Sequence, residues 1–191
     1  MLLDYTHHPR IKRAAQLMAA GGIAAYPTES VWGLGCDPDN AVATSRILAL
    51  KKRDIGKGLI LIAASVDMFK PYLSRVTTRQ YRTMTEAWPG PVTWLIPDNE
   101  FAPRWITGGQ PTLALRVTAH PIAAALSRAF RGPLVSTSAN PQGLPEARTL
   151  TKVKVYFGNN IDAYVPGNVG KASKPSEIRE LTSGAIIRPG G

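Results

Sequence analysis

The stretch 51-KKRDIGKGLILIAA-64 decides the fold, because it joins a charged helix end, a basic loop and an apolar run. Residues 59–64 form a continuous apolar run of strand length, which is typical of a buried central strand. Residues 42–50 repeat with helical period in front of it, and Asn40 is suited to cap that helix. The stretch therefore predicts a helix, a basic turn and a central strand.

Helical and strand-like patterns alternate on both sides of this stretch. Helices are predicted within residues 11–18, 65–72, 77–88 and 120–130 and from residue 149. Strands are predicted at residues 23–26, 31–36, 92–96, 112–117, 134–137, 161–165, 178–181 and 185–188. This alternation predicts an α/β (α+β) fold, with residues 1–191 forming a single domain around a mixed sheet.

Composition indicates a globular protein. Of 191 residues, 44% are hydrophobic, and no apolar run approaches the roughly 18 residues of a membrane span. Residues 1–10 lack the layout of a secretory signal, and the single cysteine, Cys36, excludes an intrachain disulfide. We expect a cytoplasmic protein without a membrane partner.

The net charge indicates a polyanionic partner. Lys and Arg number 23 against 13 Asp and Glu, a formal charge of +10. RNA, DNA and nucleotides all fit such an excess, and a charge that serves only solubility is the alternative. The cations are spread along the chain, which argues against a disordered nucleic-acid tail.

Three short polar clusters are candidate ligand sites. Residues 51–53 and 57 supply cations beside glycines that allow close backbone approach, although cations also favour any helix end. Residues 136–140, STSAN, end a predicted strand, where open α/β sheets bind ligands and where turns are also common. In residues 26–30, YPTES, Thr28 and Ser30 face the same side if the chain stays extended.

A single arginine interrupts an apolar strand. On strand alternation Thr112, Ala114 and Arg116 share one face. An arginine there needs an anion, and we favour a bound carboxylate over a structural ion pair. Arg148 and Arg188 are weaker candidates that could equally be solvated surface residues.

The histidines do not predict a metal site. His7, His8 and His120 lack a metal-ligand spacing with other ligand-type residues, so structural or surface roles are expected.

Five motifs occur in an order that resembles the YrdC-like family. They are residues 26–29, 33–35, 51–53, 88–93 and 136–140. The resemblance runs from about residue 8 to the C-terminus and is strongest to short bacterial members. It implies a YrdC/RibB-like fold, in which a twisted mixed parallel and antiparallel sheet with flanking helices surrounds a basic concave cleft.

The resemblance also implies an activity. L-threonine, bicarbonate or CO2 and ATP would give L-threonylcarbamoyladenylate and pyrophosphate, a nucleotidyl transfer. The product would serve N6-threonylcarbamoyladenosine modification of tRNAs that read codons starting with A. Mg²⁺ is expected to arrive with ATP. Contact with tRNA or double-stranded RNA, and with other proteins of this tRNA modification pathway, is also implied.

Family roles carry over to particular residues. The signature Lys-x-Arg and Ser-x-Asn residues fall on Lys51, Arg53, Ser138 and Asn140. Threonine contacts fall on Thr28, Arg116, Ser136 and Ser176. Nucleotide contacts fall on Lys51, Thr112, Ser138, Arg148 and Arg188. Longer relatives place a histidine on the strand that here reads LILI at residues 59–62, and any lid must come from loops such as residues 167–175.

Two other classes of function compete with the enzyme. The charge of +10 would also suit an RNA-binding module without catalysis. The second competing class is a sensor that binds ATP or an amino acid without turnover. The hydroxyl-rich residues 136–140 favour the enzyme, because simple RNA binding needs no small-ligand pocket.

Overall fold

The computed structural model describes residues 5–190, in which nine strands form one sheet with helices on both faces. Residues 1–4 and 191, the ends of the predicted domain, lie outside the described residues. The helices are α1 Pro9–Ala19, α2 Ala41–Lys51, α3 Thr78–Ala87, α4 Arg104–Thr107, α5 Pro121–Phe130 and α6 Leu150–Phe157. Three further segments, Ile55–Lys57, Val66–Tyr72 and Gly158–Asn160, are 3₁₀-helical.

The strands follow the predicted segments with boundaries shifted by one or two residues. They are β1 Ala24–Pro27, β2 Trp32–Gly35, β3 Ile60–Ala63, β4 Val92–Pro97, β5 Thr112–Val117, β6 Leu134–Ser138, β7 Ala163–Tyr164, β8 Glu177–Glu180 and β9 Ile186–Arg188. Their order in the sheet is β7-β1-β2-β6-β3-β5-β4-β8-β9. The pairs β1–β7, β3–β5 and β4–β8 are parallel and the others are antiparallel, which confirms the predicted mixed sheet.

Local sequence explains where several helices begin. The Asn40 side chain accepts a hydrogen bond from the Ala43 amide at 2.9 Å, as predicted for an N-cap. Thr77 and Gln80 form a capping box at the start of α3. The short helix predicted over residues 65–72 is present as a 3₁₀ segment, Val66–Tyr72, which contains Pro71.

Alternation along β1 separates two hydrophobic layers. Ala24 and Tyr26 face a cluster formed with α1 and α5, whereas Ile23 and Ala25 face the larger cluster that includes buried residues of α2, α3 and α6. The sheet is therefore covered on both sides, as expected for an α/β fold. None of the helices within residues 5–190 has the length and apolarity needed to cross a membrane.

The α1 and α5 layer covers only part of its face of the sheet. On β6, Leu134 is fully buried against that layer, whereas Ser136 and Ser138, on the same face, line a cavity. On β3, Ile62 is buried against the same layer and Ile60 lines the cavity. The change from apolar to polar side chains along β6 thus marks where the helical layer ends and the cavity begins.

Candidate active site

A cavity of about 390 Å³ lies on this uncovered part of the sheet face. Its size is within the usual range of small-ligand sites. The structure brings eight of the predicted site residues to its walls: Thr28, Arg53, Thr112, Arg116, Ser136, Ser138, Ser176 and Arg188.

The floor of the cavity is the middle of three neighbouring strands. Ile60 pairs with Ser136 on one side and with Ala114 on the other. Thr112 and Arg116 lie two residues to either side of Ala114, and all three line the cavity, as predicted from strand alternation. For β6 the cavity lies towards the carboxyl end of the strand, as predicted, because Ser136, Thr137 and Ser138 are its last three residues and all line the cavity.

The charge of the cavity walls is mainly positive. Arg53, Lys57, Arg116 and Arg188 line the cavity, and Glu146 is the single acidic side chain among its described lining residues. Such a wall favours an anionic ligand, because cations held in a cleft of low dielectric attract negative charge strongly.

The basic turn after α2 directs its side chains to different places. Lys52 has a left-handed backbone, with φ of 53°, so the chain turns sharply between its neighbours. Arg53 lines the cavity, and its Nη2 donates to the Gly58 carbonyl at 3.0 Å. This contact ties the guanidinium to the end of the basic loop.

Lys51 is buried and holds the turn that follows β6. Its Nζ donates to the Asn140 carbonyl at 2.8 Å, to Asn140 Oδ1 at 3.2 Å and to the Ser138 carbonyl. Burial and the neighbouring Arg53 charge lower the pKa of Lys51 to about 8, opposed by Glu146, so the ammonium form still predominates at neutral pH. Neither Lys51 nor Asn140 is among the described residues that line the cavity.

The same turn is braced by its own side chains. Ser138 Oγ donates to Asn140 Oδ1 at 2.6 Å, and Asn140 Nδ2 donates to the Leu144 carbonyl at 2.6 Å. Asn140 is thereby fixed from three sides, while Ser138 remains on the cavity wall. These contacts give Lys51 and Asn140 a role in shaping the site.

Arg116 forms an ion pair inside the protein. Its Nη2 lies 3.3 Å from Glu29 Oε2, and the two side chains are 8% and 15% exposed. Burial raises the pKa of Glu29, but the Arg116 charge and hydrogen bonds from Thr118 and Ala119 outweigh it, so the net pKa is lowered. The ion pair, the less favoured of the two sequence-based alternatives, is thus present, and Arg116 also lines the cavity.

Thr28 and Ser30 reach the cavity from a tight turn. Both the amide and Oγ1 of Thr28 donate to the Val31 carbonyl, at 3.0 and 2.7 Å. The chain is therefore bent where the sequence suggested an extended segment. Both side chains are buried and both line the cavity, because the turn folds back towards it.

The end of the chain closes the opposite wall. Ser176 Oγ lies 2.9 Å from Thr93 Oγ1, and Arg188 Nη2 donates to the Ser176 carbonyl at 2.8 Å. Burial and repulsion by Arg116 lower the pKa of Arg188. These contacts attach β8 and β9 to the cavity.

Arg148 contacts a loop and does not line the cavity. Its Nη1 and Nη2 donate to the carbonyls of Ser173 and Ala172, at 3.0 and 3.3 Å. The loop is also joined to the Thr28 turn, because the Gly170 amide donates to the Thr28 carbonyl at 2.9 Å. Arg148 therefore anchors residues 167–175, the predicted lid, and that lid role stays a prediction.

A family model described as Sua5/yciO/yrdC, telomere recombination, matches residues 16–190. This chain belongs to the Sua5/YciO/YrdC family. Two curated relatives of similar length are both named threonylcarbamoyl-AMP synthase. The relative from Cellvibrio japonicus is 50% identical over 188 residues, covering 98% of this chain and all of the relative. The relative from Halorhodospira halophila is 52% identical over 179 residues, covering 94% of each.

Solved structures of the family have the same architecture. P. abyssi Sua5 complexed with L-threonine is 32% identical, with a TM-score of 0.89 over 95% of this chain. This chain corresponds to 54% of that longer protein. E. coli YciO is 27% identical, with a TM-score of 0.83, and the match covers 94% of this chain and 88% of YciO.

Sequence reasoning assigned no role to three groups that the structure brings to this family site. Glu29 follows Thr28 in the quoted motif, and it pairs with Arg116. Glu146 lines the cavity from a segment without a recognisable pattern, and Ile187 lines it from the predicted strand at residues 185–188. An acidic residue beside a motif threonine was the one signal available in the sequence, since Arg116 needed an anion.

Proposed function

We propose that this chain is an L-threonylcarbamoyl-AMP synthase, a nucleotidyltransferase that converts L-threonine, bicarbonate or CO2 and ATP to threonylcarbamoyl-AMP and pyrophosphate. The single observation that carries the proposal is the cavity, where basic side chains and hydroxyls converge beside the buried Arg116. Such a site suits a polyphosphate next to a small zwitterion. The names of the curated relatives and the threonine complex of P. abyssi Sua5 support this choice.

The proposed reaction has two bond-forming steps. The threonine amine attacks CO2, which forms an N–C bond and releases a proton from nitrogen, leaving a carbamate. A carbamate oxygen then attacks the α-phosphorus of ATP, and the bond to the bridging oxygen breaks. Pyrophosphate leaves with that electron pair. The reaction needs no covalent nucleophile on the protein, so positioning and charge stabilisation carry the catalysis.

The phosphates are assigned to the basic wall. Arg53 and Arg188 both line the cavity, and a guanidinium fork suits phosphate oxygens in two-point contacts. Ser138 and Thr112 offer neutral hydrogen bonds nearby. Lys51 supports this end by fixing the turn that carries Ser138, and a direct phosphate contact from its ammonium stays a prediction.

The amino acid is assigned to the part of the cavity around Arg116. Arg116 would hold the threonine carboxylate through a charge-assisted pair. Thr28, Ser136 and Ser176 line the same region and would orient the amine and hydroxyl. This arrangement places a carboxylate-binding group and three hydroxyls around one small ligand.

Magnesium is proposed to enter as part of the MgATP substrate. Glu146 is the single carboxylate among the described lining residues, so phosphate oxygens and water would supply most of the metal's ligands. Within residues 5–190, no group of three or more His, Cys, Asp and Glu side chains is arranged to hold a metal ion. Direct RNA contact, partner proteins and a cytoplasmic location stay predictions.

The test is fixation of labelled bicarbonate by the purified protein in the presence of ATP, Mg²⁺ and L-threonine. We expect label to enter a nucleotide product in a threonine-dependent manner, with one pyrophosphate released per product. Binding of ATP and threonine without label would indicate a sensor. Salt-sensitive RNA binding without either ligand would indicate an RNA-binding module. Either the sensor result or the RNA-binding result would overturn the proposal.

A further inference from the structure

Glu29 lies beside the cavity without being one of its described lining residues. It belongs to the turn after β1, whereas its ion-pair partner Arg116 belongs to β5. Because Arg116 reaches the cavity and Glu29 does not, the carboxylate acts on a ligand only through the guanidinium.

The Glu29 carboxylate is held in one orientation. Its Oε1 accepts hydrogen bonds from Thr118 Oγ1 at 2.7 Å and from the Ala119 amide at 2.9 Å. Its Oε2 is buried without a hydrogen-bond partner among the described residues and lies 3.3 Å from Arg116 Nη2. Two donors therefore direct the second oxygen towards the arginine.

The backbone beneath Glu29 is also fixed. The Glu29 carbonyl accepts from the Ala172 amide at 3.1 Å, and the preceding Thr28 carbonyl accepts from the Gly170 amide at 2.9 Å. The turn is thus held against the loop of residues 167–175. Neither the backbone nor the side chain of Glu29 can move without breaking hydrogen bonds.

Arg116 keeps unused donors. A guanidinium carries five N–H groups, and the ion pair engages the Nη2 end. Arg116 Nε is buried without a hydrogen-bond partner among the described residues. With one end held by Glu29, the planar group has a restricted rotation, and Arg116 lines the cavity.

We propose that Glu29 is a positioning residue that orients the Arg116 guanidinium for the carboxylate of the amino-acid substrate. This inference rests on the proposed function. Its consequence is that loss of the Glu29 charge weakens amino-acid binding specifically, because a displaced guanidinium no longer matches the ligand carboxylate. ATP binding, which is assigned chiefly to Arg53 on the basic turn, is affected less.

The test compares Glu29→Gln with the wild-type protein. Glutamine keeps the size and can still accept from Thr118 and Ala119, but it lacks the charge that holds Arg116. We expect the KM and Kd for L-threonine to rise roughly tenfold or more, as small misplacements of substrate-binding groups commonly cause. The kcat and the KM for ATP should stay within about twofold, the pattern for loss of an interaction made equally in ground and transition states.

Two further variants keep the inference testable if Glu29→Gln folds poorly. Thr118→Val removes one of the two donors to Oε1 and should raise the threonine KM in the same direction by a smaller factor. Glu100→Gln is the matched control, because Glu100 also pairs with an arginine, Arg75, at 3.3 Å, but on the exposed surface. It should leave every kinetic constant unchanged.

The outcomes separate this inference from the proposed function. If the wild type fixes label and Glu29→Gln binds threonine equally well, Glu29 does not position Arg116. A fall in kcat with a comparable rise in the KM values for both threonine and ATP, together with lower thermal stability, would indicate a merely structural role and overturn the inference. If the wild-type protein neither binds threonine in calorimetry nor fixes label, the proposed function itself fails and this inference fails with it.

Discussion

The ammonium of Lys51 donates to both oxygens of Asn140, 89 positions further along the chain, at 2.8 and 3.2 Å. One side chain thereby fixes the backbone and the amide of a turn that belongs to a different part of the sequence. The turn carries Ser138, which lines the cavity. The end of α2 and the end of β6 are consequently a single unit of the site.

Lys51→Met should both destabilise the protein and inactivate it. The carbonyls of Ser138 and Asn140 would lose their donor, and we expect the free energy of unfolding to fall by about 1–3 kcal/mol. Turnover should fall at least ~100-fold, since a preorganised electrostatic element is lost. Denaturant unfolding and pyrophosphate release measure the two effects. Lys52→Met, at the exposed neighbouring position, is the control, and equal effects of the two substitutions would refute the assignment.

Arg53→Ala should separate activity from stability. Because Arg53 lines the cavity and is half-buried, its loss should lower turnover roughly 100-fold. The free energy of unfolding should change by no more than about 1 kcal/mol. Arg53→Lys retains the charge without the planar fork, so its turnover should lie between that of the wild type and that of Arg53→Ala. Arg79→Ala, an exposed cation on α3, should behave as wild type, and normal pyrophosphate release by Arg53→Ala would contradict the prediction.

Arg148→Ala should loosen the loop of residues 167–175. Its guanidinium donates to the carbonyls of Ala172 and Ser173, and without it trypsin cleavage after Lys171 should accelerate by about threefold to tenfold. If Arg148 acts only as an anchor, the loop should loosen with little change in the Kd for ATP. A large loss of ATP affinity with unchanged proteolysis would instead support the direct nucleotide contact that the family resemblance implies.

Glu29 should make stability fall in acid. Its folded-state pKa lies below the ordinary value of 4.5, so the ionised form stabilises the folded protein. That contribution is complete above about pH 4.5 and is lost as pH falls through the folded pKa, since the unfolded chain takes up the proton first. The stability difference between wild type and Glu29→Gln should therefore narrow below about pH 4.5 in denaturant titrations. A difference that stays constant between pH 7 and pH 3 would exclude the ion pair as its source.

Local patterns in the sequence predicted most helices and strands because their determinants are local. Asn40 begins α2, and the apolar residues 59–64 contain β3, since capping and burial are readable from neighbouring residues. α4 was missed, because four residues are too few to show a helical period. The order of the strands was not predictable, since β2 and β6 meet across about a hundred residues.

The cavity lining was predicted where a motif contains the lining side chain. Arg53, Ser136 and Ser138 come from such motifs and line the cavity. What the sequence did not reveal is direction: the Lys51 ammonium faces carbonyls, and Arg148 faces a loop. Side-chain direction depends on which distant backbone lies alongside, and that is decided by tertiary packing.

The insertion of β6 between β2 and β3 has a consequence during synthesis. A nascent chain that has not reached residue 134 already contains β2 and β3. It lacks β6, the strand that pairs with the facing edges of both. Unpaired strand edges invite association with other molecules. Ribosome-bound intermediates of this length should therefore depend on chaperones, and no fragment that stops short of β6 can assemble the cavity floor.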